Sequence, residues 1–405
     1  MKTTSLIPTS LALSVLLSTL DPQFSTVSAQ GTLAPPGAPA PTMKSLDQIE
    51  PRIPISAGTT PGGANDSFII TNPGSYYLTT NFIATSPKNG IQIAADGVTI
   101  DLCGFELNGA GLGGVGIRII TSIHRQNLTI RNGSVRNWTS SGIDLSFGRN
   151  LLLENVLALG NGGNGIYGGE NAVIRDCLAY TNANAGPFLA GISANQGSVV
   201  VNCAADFNGI SNTNCFGIVA GTGSTVSHCS ASQNSGPNAV GISASAGCTV
   251  SDCAVTIQTG TNGAGISVGN GSSVIRCTVS ANPGSGTIGI QANQRVLIES
   301  CVTEGNGGDG IRAASECAVV SNVSGNNGGA GIHTTGQRNR IDNNNVTINA
   351  GGGIKVDSTL SLITRNSVSG NSVNNYITAA GNNDAEQVGG GTAFTSTDPW
   401  ANFSY

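Results

Sequence analysis

Gly191-Ile192-Ser193-Ala194-Asn195-Gln196-Gly197-Ser198-Val199-Val200-Val201-Asn202-Cys203-Ala204-Ala205-Asp206-Phe207-Asn208 decides the fold, because the chain repeats this stretch. Gly-Ile opens copies at Gly165, Gly191, Gly217, Gly241, Gly265 and Gly289. Nine positions on stands Ile174, Val200, Val226, Val250, Val274 or Ile298. Twelve on stands Cys177, Cys203, Cys229, Cys253, Cys277 or Cys301, and seventeen on an amide: Asn182, Asn208, Asn234, Gln258, Asn282 or Asn306. Copies of 24 or 26 residues keep these offsets, so length varies only between the amide and the next Gly-Ile. A period of this size marks a solenoid.

Further Gly-Ile pairs at Gly90, Gly116, Gly142, Gly310, Gly331 and Gly353 bring the expected rungs to about twelve. Within each, three short runs of β-branched or small residues alternate with Gly, Asn and Ser turns, which predicts three strands per rung. Stacked rungs place equivalent residues ~4.8 Å apart. The amides then form hydrogen-bonded ladders. The cysteines read as small apolar packing residues. Disulfides between rungs stay open, because the separation suits them although parallel Cβ vectors do not. Neither a metal nor another cofactor is expected, since no His shares the cysteine column. Asn155, Asn322 and Asn366 are expected to replace Cys in the flanking rungs.

Composition supports this picture, with 58 Gly and only 10% charged residues. A formal charge of −5 argues against a nucleic-acid partner, because no basic stripe faces phosphate. Lys2, the apolar run Leu11 to Leu17 and Val27-Ser28-Ala29 predict a signal peptide over 1–29 and an exported, cell-surface or extracellular protein. No later segment is long enough for a membrane span. Residues 30–65 read as a Pro-rich linker, 66–375 as the solenoid and 376–405 as a C-terminal cap carrying Phe394, Trp400, Phe403 and Tyr405. Phe68-Ile69-Ile70 and Tyr76-Tyr77-Leu78, split by Asn72-Pro73-Gly74, read as a hairpin-like N-terminal cap. Oligomeric state is not set by the sequence; a fibre-like oligomer tethered by 30–65 is one arrangement.

The pattern Gly-Ile-x-(Ala/Val), Val or Ile, the Asn/Cys position and the second Asn resembles the right-handed parallel β-helix repeat of the pectin-lyase-like superfamily over 66–375. Pro35-Pro36-Gly37 through Pro51-Arg52 is similar to the leader of a group of secreted bacterial β-helix proteins. The resemblance implies an all-β right-handed parallel β-helix with a cleft over the first strand of each rung. Mapped onto this chain, that strand's outward row is Gln92, Arg118, Asp144, Tyr167, Ser193, Val219, Ser243, Ser267, Gln291, Arg312, His333 and Lys355. Its middle is small and neutral, a poor place for acid–base chemistry. The superfamily's polygalacturonase motifs Asn-Thr-Asp, Asp-Asp, Gly-His-Gly and Arg-Ile-Lys are absent, as is an Asp cluster suited to Ca²⁺.

Two stretches of that row are candidate sites. Arg118, Asp144 and Tyr167 lie beside the longer loops carrying Phe188 and Phe216, and offer charge, hydrogen bonding and aromatic surface. Arg312, His333 and Lys355 predict a basic strip, set against a solvated edge next to Asp309 and Asp357. Glu154 and Asp176 are expected as neighbours at a glycosidase-like spacing of ~5 Å, with Arg175 able to neutralise them. His228, between Asn202 and Asp252, reads as part of a salt-bridged face. The expected function is a polysaccharide-binding or structural module. The alternative is a lyase or glycoside hydrolase acting on acidic polysaccharide.

Overall fold

A computed structural model describes residues 50–120, 122–182, 189–209, 214–389 and 396–405. The signal-peptide reading, most of the linker, Phe188 and Phe394 lie outside the described residues.

The isoleucine of each Gly-Ile lies in a parallel strand, and these strands stack into one 14-stranded sheet running from Asp66–Ile70 to Tyr376–Thr378. The other two strands of each rung join a second, 28-stranded parallel system. Among the described residues the chain is therefore an all-β parallel solenoid. One rung reads Leu189–Ala194, Val199–Val201, Ala204–Asp206. Its register on the next rung is Ile192 to Ile218, Val200 to Val226 and Ala205 to Ala231. These inward residues are fully buried and stack as aliphatic columns.

The corners explain the composition. Asn132, Asn155, Asp176, Asn202, His228, Asp252 and Arg276 turn the chain between the second and third strands with φ between 52° and 59°. Left-handed backbone is tolerated best by Gly, Asn and Asp. A similar corner recurs before the second strand and another after the third, so each rung needs three such residues.

Two buried polar columns run up the solenoid. Asn161 Nδ2 donates to Asn182 Oδ1 at 2.9 Å, Asn182 to Asn208 at 3.1 Å and Asn208 to Asn234 at 3.0 Å. The column resumes from Asn282 through Asn306 and Asn327 to Asn349. Gln258 interrupts it: its Nε2 reaches Ala231 O, while Oε1 is buried without a partner. In the second column Cys177 to Cys301 are buried free thiols, followed by Asn322, Asn344, Asn366 and Asn402. Cys and Asn are interchangeable here because both sit beneath the same carbonyl. Cys301 Sγ lies 3.5 Å from Val274 O, where Asn322 Nδ2 donates to Ile298 O at 3.0 Å.

Several expectations are corrected. Asn155 is not in this column; the register places Val156 there and puts Asn155 at the corner occupied by Asp176 in the next rung. Glu154 consequently pairs across from Arg175, its salt-bridge partner, rather than from Asp176. The aromatic N-terminal segment is no hairpin. Asp66–Ile70 pairs with Asn89–Ile93 in one sheet and Gly74–Tyr77 with Val98–Asp101 in the other. Ile53–Pro54 already pairs with Tyr76–Tyr77. At the other end the pattern persists beyond Tyr376: Tyr376–Thr378, Asn383–Asp384 and Asn402–Ser404 each continue a rung position. Among the described residues no helix is long and apolar enough to cross a membrane.

Candidate functional site

The outward row of the 14-stranded sheet is real, and both candidate stretches lie on it. Asp144 is in register with Arg118 on one side and Tyr167 on the other. Strand alternation sends Ile143 and Leu145 into the core and leaves Asp144 half-exposed between them.

Arg118 does not bond Asp144. Its guanidinium forms two bonds to buried Asp66, at 2.8 and 2.9 Å, reaching across two rungs. Asp144 accepts one bond, from Ser146 N at 3.1 Å, through Oδ1. Among the described residues, Asp144 Oδ2 and the Tyr167 hydroxyl have no hydrogen-bond partner. Burial, then the Asp144 carboxylate, raises the Tyr167 phenol, which therefore stays a neutral hydrogen-bonding group. Asp66, Arg118 and Asp144 together carry one net negative charge.

Phe216 is half-buried on the strand Cys215–Ala220, in register with Ala190 and Val240, rather than standing in a loop wall. Trp138, the largest early aromatic, is buried, with its indole donating to Leu107 O at 3.0 Å. Four glycines make room for it; a Cβ on Gly113 would lie 2.2 Å from the ring.

Arg312, His333 and Lys355 do occupy successive rungs in register. They are not a bare basic strip, because Asp309 and Asp357 thread between them. His333 is buried, with Nδ1 2.8 Å from Asp309 Oδ2 and Nε2 2.8 Å from Asp357 Oδ2. Arg312 Nε donates to the same Asp309 oxygen at 2.8 Å, and Lys355 Nζ lies 3.2 Å from Asp357. Burial pushes the Asp309 carboxyl up, but bonds from His333, the Ala330 N–H and Arg312 outweigh it and hold the group down at about 2. Both imidazole nitrogens are thus engaged with carboxylates. A general base needs an accessible nitrogen within hydrogen-bond reach of its proton. Asp309 and Asp357 are expected from the sequence beside the strip as part of a solvated edge; folding instead turns both onto His333, burying Asp309 and leaving Asp357 exposed.

The face around His228 follows its expected pattern. Asn202 donates to Asp176 at 3.4 Å, and Arg276 grips Asp252 at 2.7 and 2.8 Å.

The right-handed β-helix region family matches residues 67–231 and 208–373. No curated protein matches the chain in sequence. Among solved structures, it is similar to the mannuronan C-5 epimerase AlgE4 A-module of Azotobacter vinelandii, with 14% identity and a TM-score of 0.47 over 72% of this chain and 91% of that one. It is also similar to the periplasmic alginate epimerase AlgG, at 10% identity and a TM-score of 0.45 over 86% and 80% of the respective chains. Pectate lyase Pel9A aligns with 14% identity and a TM-score of 0.33 over 76% and 74%. At such identities the likeness is one of winding. The family match spans most of the described rungs, and the chain belongs to the right-handed β-helix family.

Proposed function

We propose that the protein is an exported polysaccharide-binding β-helix whose ligand lies along Arg118, Asp144 and Tyr167. The observation that carries this reading is the pairing of Asp144 and Tyr167. They are adjacent, half-exposed side chains with a carboxylate oxygen and a hydroxyl that are free among the described residues, beside an arginine already neutralised by Asp66. A sugar offers hydroxyls to the first two and an apolar ring face to the phenol. The net negative charge favours a neutral sugar over a uronate.

Binding without cleavage is favoured because the one histidine and the first arginine of the row are already engaged, which among the described residues leaves Asp144 as a lone carboxylate with no second acid–base group paired to it. His333 is bracketed by Asp309 and Asp357, and Arg118 by Asp66. Titration calorimetry with neutral gluco- and manno-oligosaccharides and with oligogalacturonate tests the proposal. Tyr167→Ala is expected to weaken binding of a neutral oligosaccharide more than Lys355→Ala, with little dependence on salt. Steep salt dependence with the reverse order would move the site to Arg312, His333 and Lys355. Release of unsaturated or reducing ends would instead support the enzymatic reading.

A further inference from the structure

We infer that the C-terminal end carries a second saccharide site, independent of the outward row, in the cavity beside Trp400, and that its ligand is a neutral pyranose.

Trp400 is 53% exposed, in contrast to Trp138 in the core. Its ring is nevertheless fixed. Its backbone is held on both sides, with Asp398 Oδ1 accepting from the Trp400 backbone N–H at 2.9 Å and the Arg365 backbone N–H donating to Trp400 O at 3.0 Å. The Arg365 guanidinium stacks 5.0 Å from the ring centroid. That guanidinium is held in turn by Asp342, whose side chain is fully buried and accepts from Arg365, Arg340 and Thr364. Hydrogen bonds from Arg365, against the opposing effect of burial, hold the Asp342 carboxyl at about 2, so the clamp is charged at any ordinary pH. An exposed indole backed by a clamped cation loses little freedom when it is covered.

The ring borders a cavity of about 610 Å³, which Arg365 does not line. This size is typical of small-molecule sites. Around it stand Arg340, Asn383, Asp384 and Asp398, with Leu362 beside them. Among the described residues Asp398 and Asp384 each spend one oxygen, on the Trp400 backbone N–H and on the Thr378 hydroxyl, and keep the other. Arg340 spends one nitrogen on Asp342 and is otherwise solvent-facing. Among the described residues the Asn383 side chain has no partner. A flat aromatic face ringed by two acceptors and two donors suits the alternating apolar face and hydroxyl edge of a pyranose. Two carboxylates against one guanidinium disfavour an acidic sugar.

Only two tryptophans are present, and Trp138 is buried, so emission and acrylamide quenching report on Trp400. Neutral gluco-, manno- and xylo-hexaoses, with trigalacturonate as the acidic comparison, are titrated into the full chain. The expected result is that at least one neutral hexaose shifts the emission and shields Trp400 from acrylamide. Trp400→Ala then weakens binding at this site about tenfold, the scale of one good aromatic contact. Leu362→Tyr, which narrows the cavity from an exposed strand position, weakens it as well, read by calorimetry. Tyr167→Ala leaves the Trp400 signal unchanged, which separates this site from the row. The inference is overturned if no neutral hexaose alters Trp400, if trigalacturonate binds more tightly, or if both variants bind like the parent chain.

Discussion

A Cβ on Gly191 would lie 2.5 Å from the Nδ2 of Asn208, so the opening glycine of a rung and its closing asparagine occupy one place in space. The same conflict recurs between Gly165 and Asn182, and between Gly217 and Asn234, at 2.7 Å. Two sequence features seventeen residues apart are therefore one structural device: the ladder amide packs where a side chain on the glycine would be.

Gly191→Ala is expected to destabilise the solenoid by about 1–3 kcal/mol, the usual cost of overpacking. The loss should be local, since each rung contacts chiefly its neighbours. Hydrogen exchange rising around Asn182 and Asn208 but not around Asn349 would establish this, and uniform protection would contradict it.

Gln258 is one methylene longer than the asparagines above and below, and the ladder breaks there with Oε1 buried and unpaired. Gln258→Asn should restore the missing bond from Asn234 and raise stability by about 1 kcal/mol. Urea unfolding of the two proteins side by side measures the difference.

Asp309 has an ordinary value of 3.8 and is held at about 2 in the folded chain. Its stabilisation is therefore complete above about pH 4 and is lost as pH falls through about 2. Asp309→Asn should cost about 2 kcal/mol at pH 7, and the gap from the parent chain should close toward pH 2. A gap independent of pH, measured by urea midpoints, would assign the loss to packing.

Ten thiols are free and Cys103 alone among them is exposed. Burial pushes the Cys215 thiol up to about 12, which leaves little reactive thiolate. A thiol reagent should therefore titrate one group in the folded protein and ten in the unfolded, unreduced protein. One or none after unfolding would mean that the columns are cross-linked.

Removing 376–405 strips the strands that cover Gly352–Val356, Leu362–Thr364 and Ser367–Ser369. The bare parallel edge should template association. Light scattering should show growing aggregates, and a stable monomer would argue against the capping role.

The sequence by itself determined the winding. Gly165 to Asn306 repeat with fixed offsets because every rung must meet the next in the same register, and a one-dimensional repeat imposes that on the residues directly. The resemblance to the pectin-lyase-like repeat implied the outward row, and the alternation of faces along each strand agrees with it. Only the tertiary structure decided which charged residues of that row are free. Asp66 lies two rungs from Arg118, and Asp309 and Asp357, which stand just outside the strands Ile311–Ala313 and Gly352–Val356, reach His333 from the rungs on either side. It likewise moved Asn155 to a corner, because two extra residues between Gly142 and the column shift the register there. The Trp400 cavity has no repeat to announce it. Its walls come from the last rungs and the terminal segment, where the period has ended and contacts alone bring Arg365, Asp342 and Trp400 together.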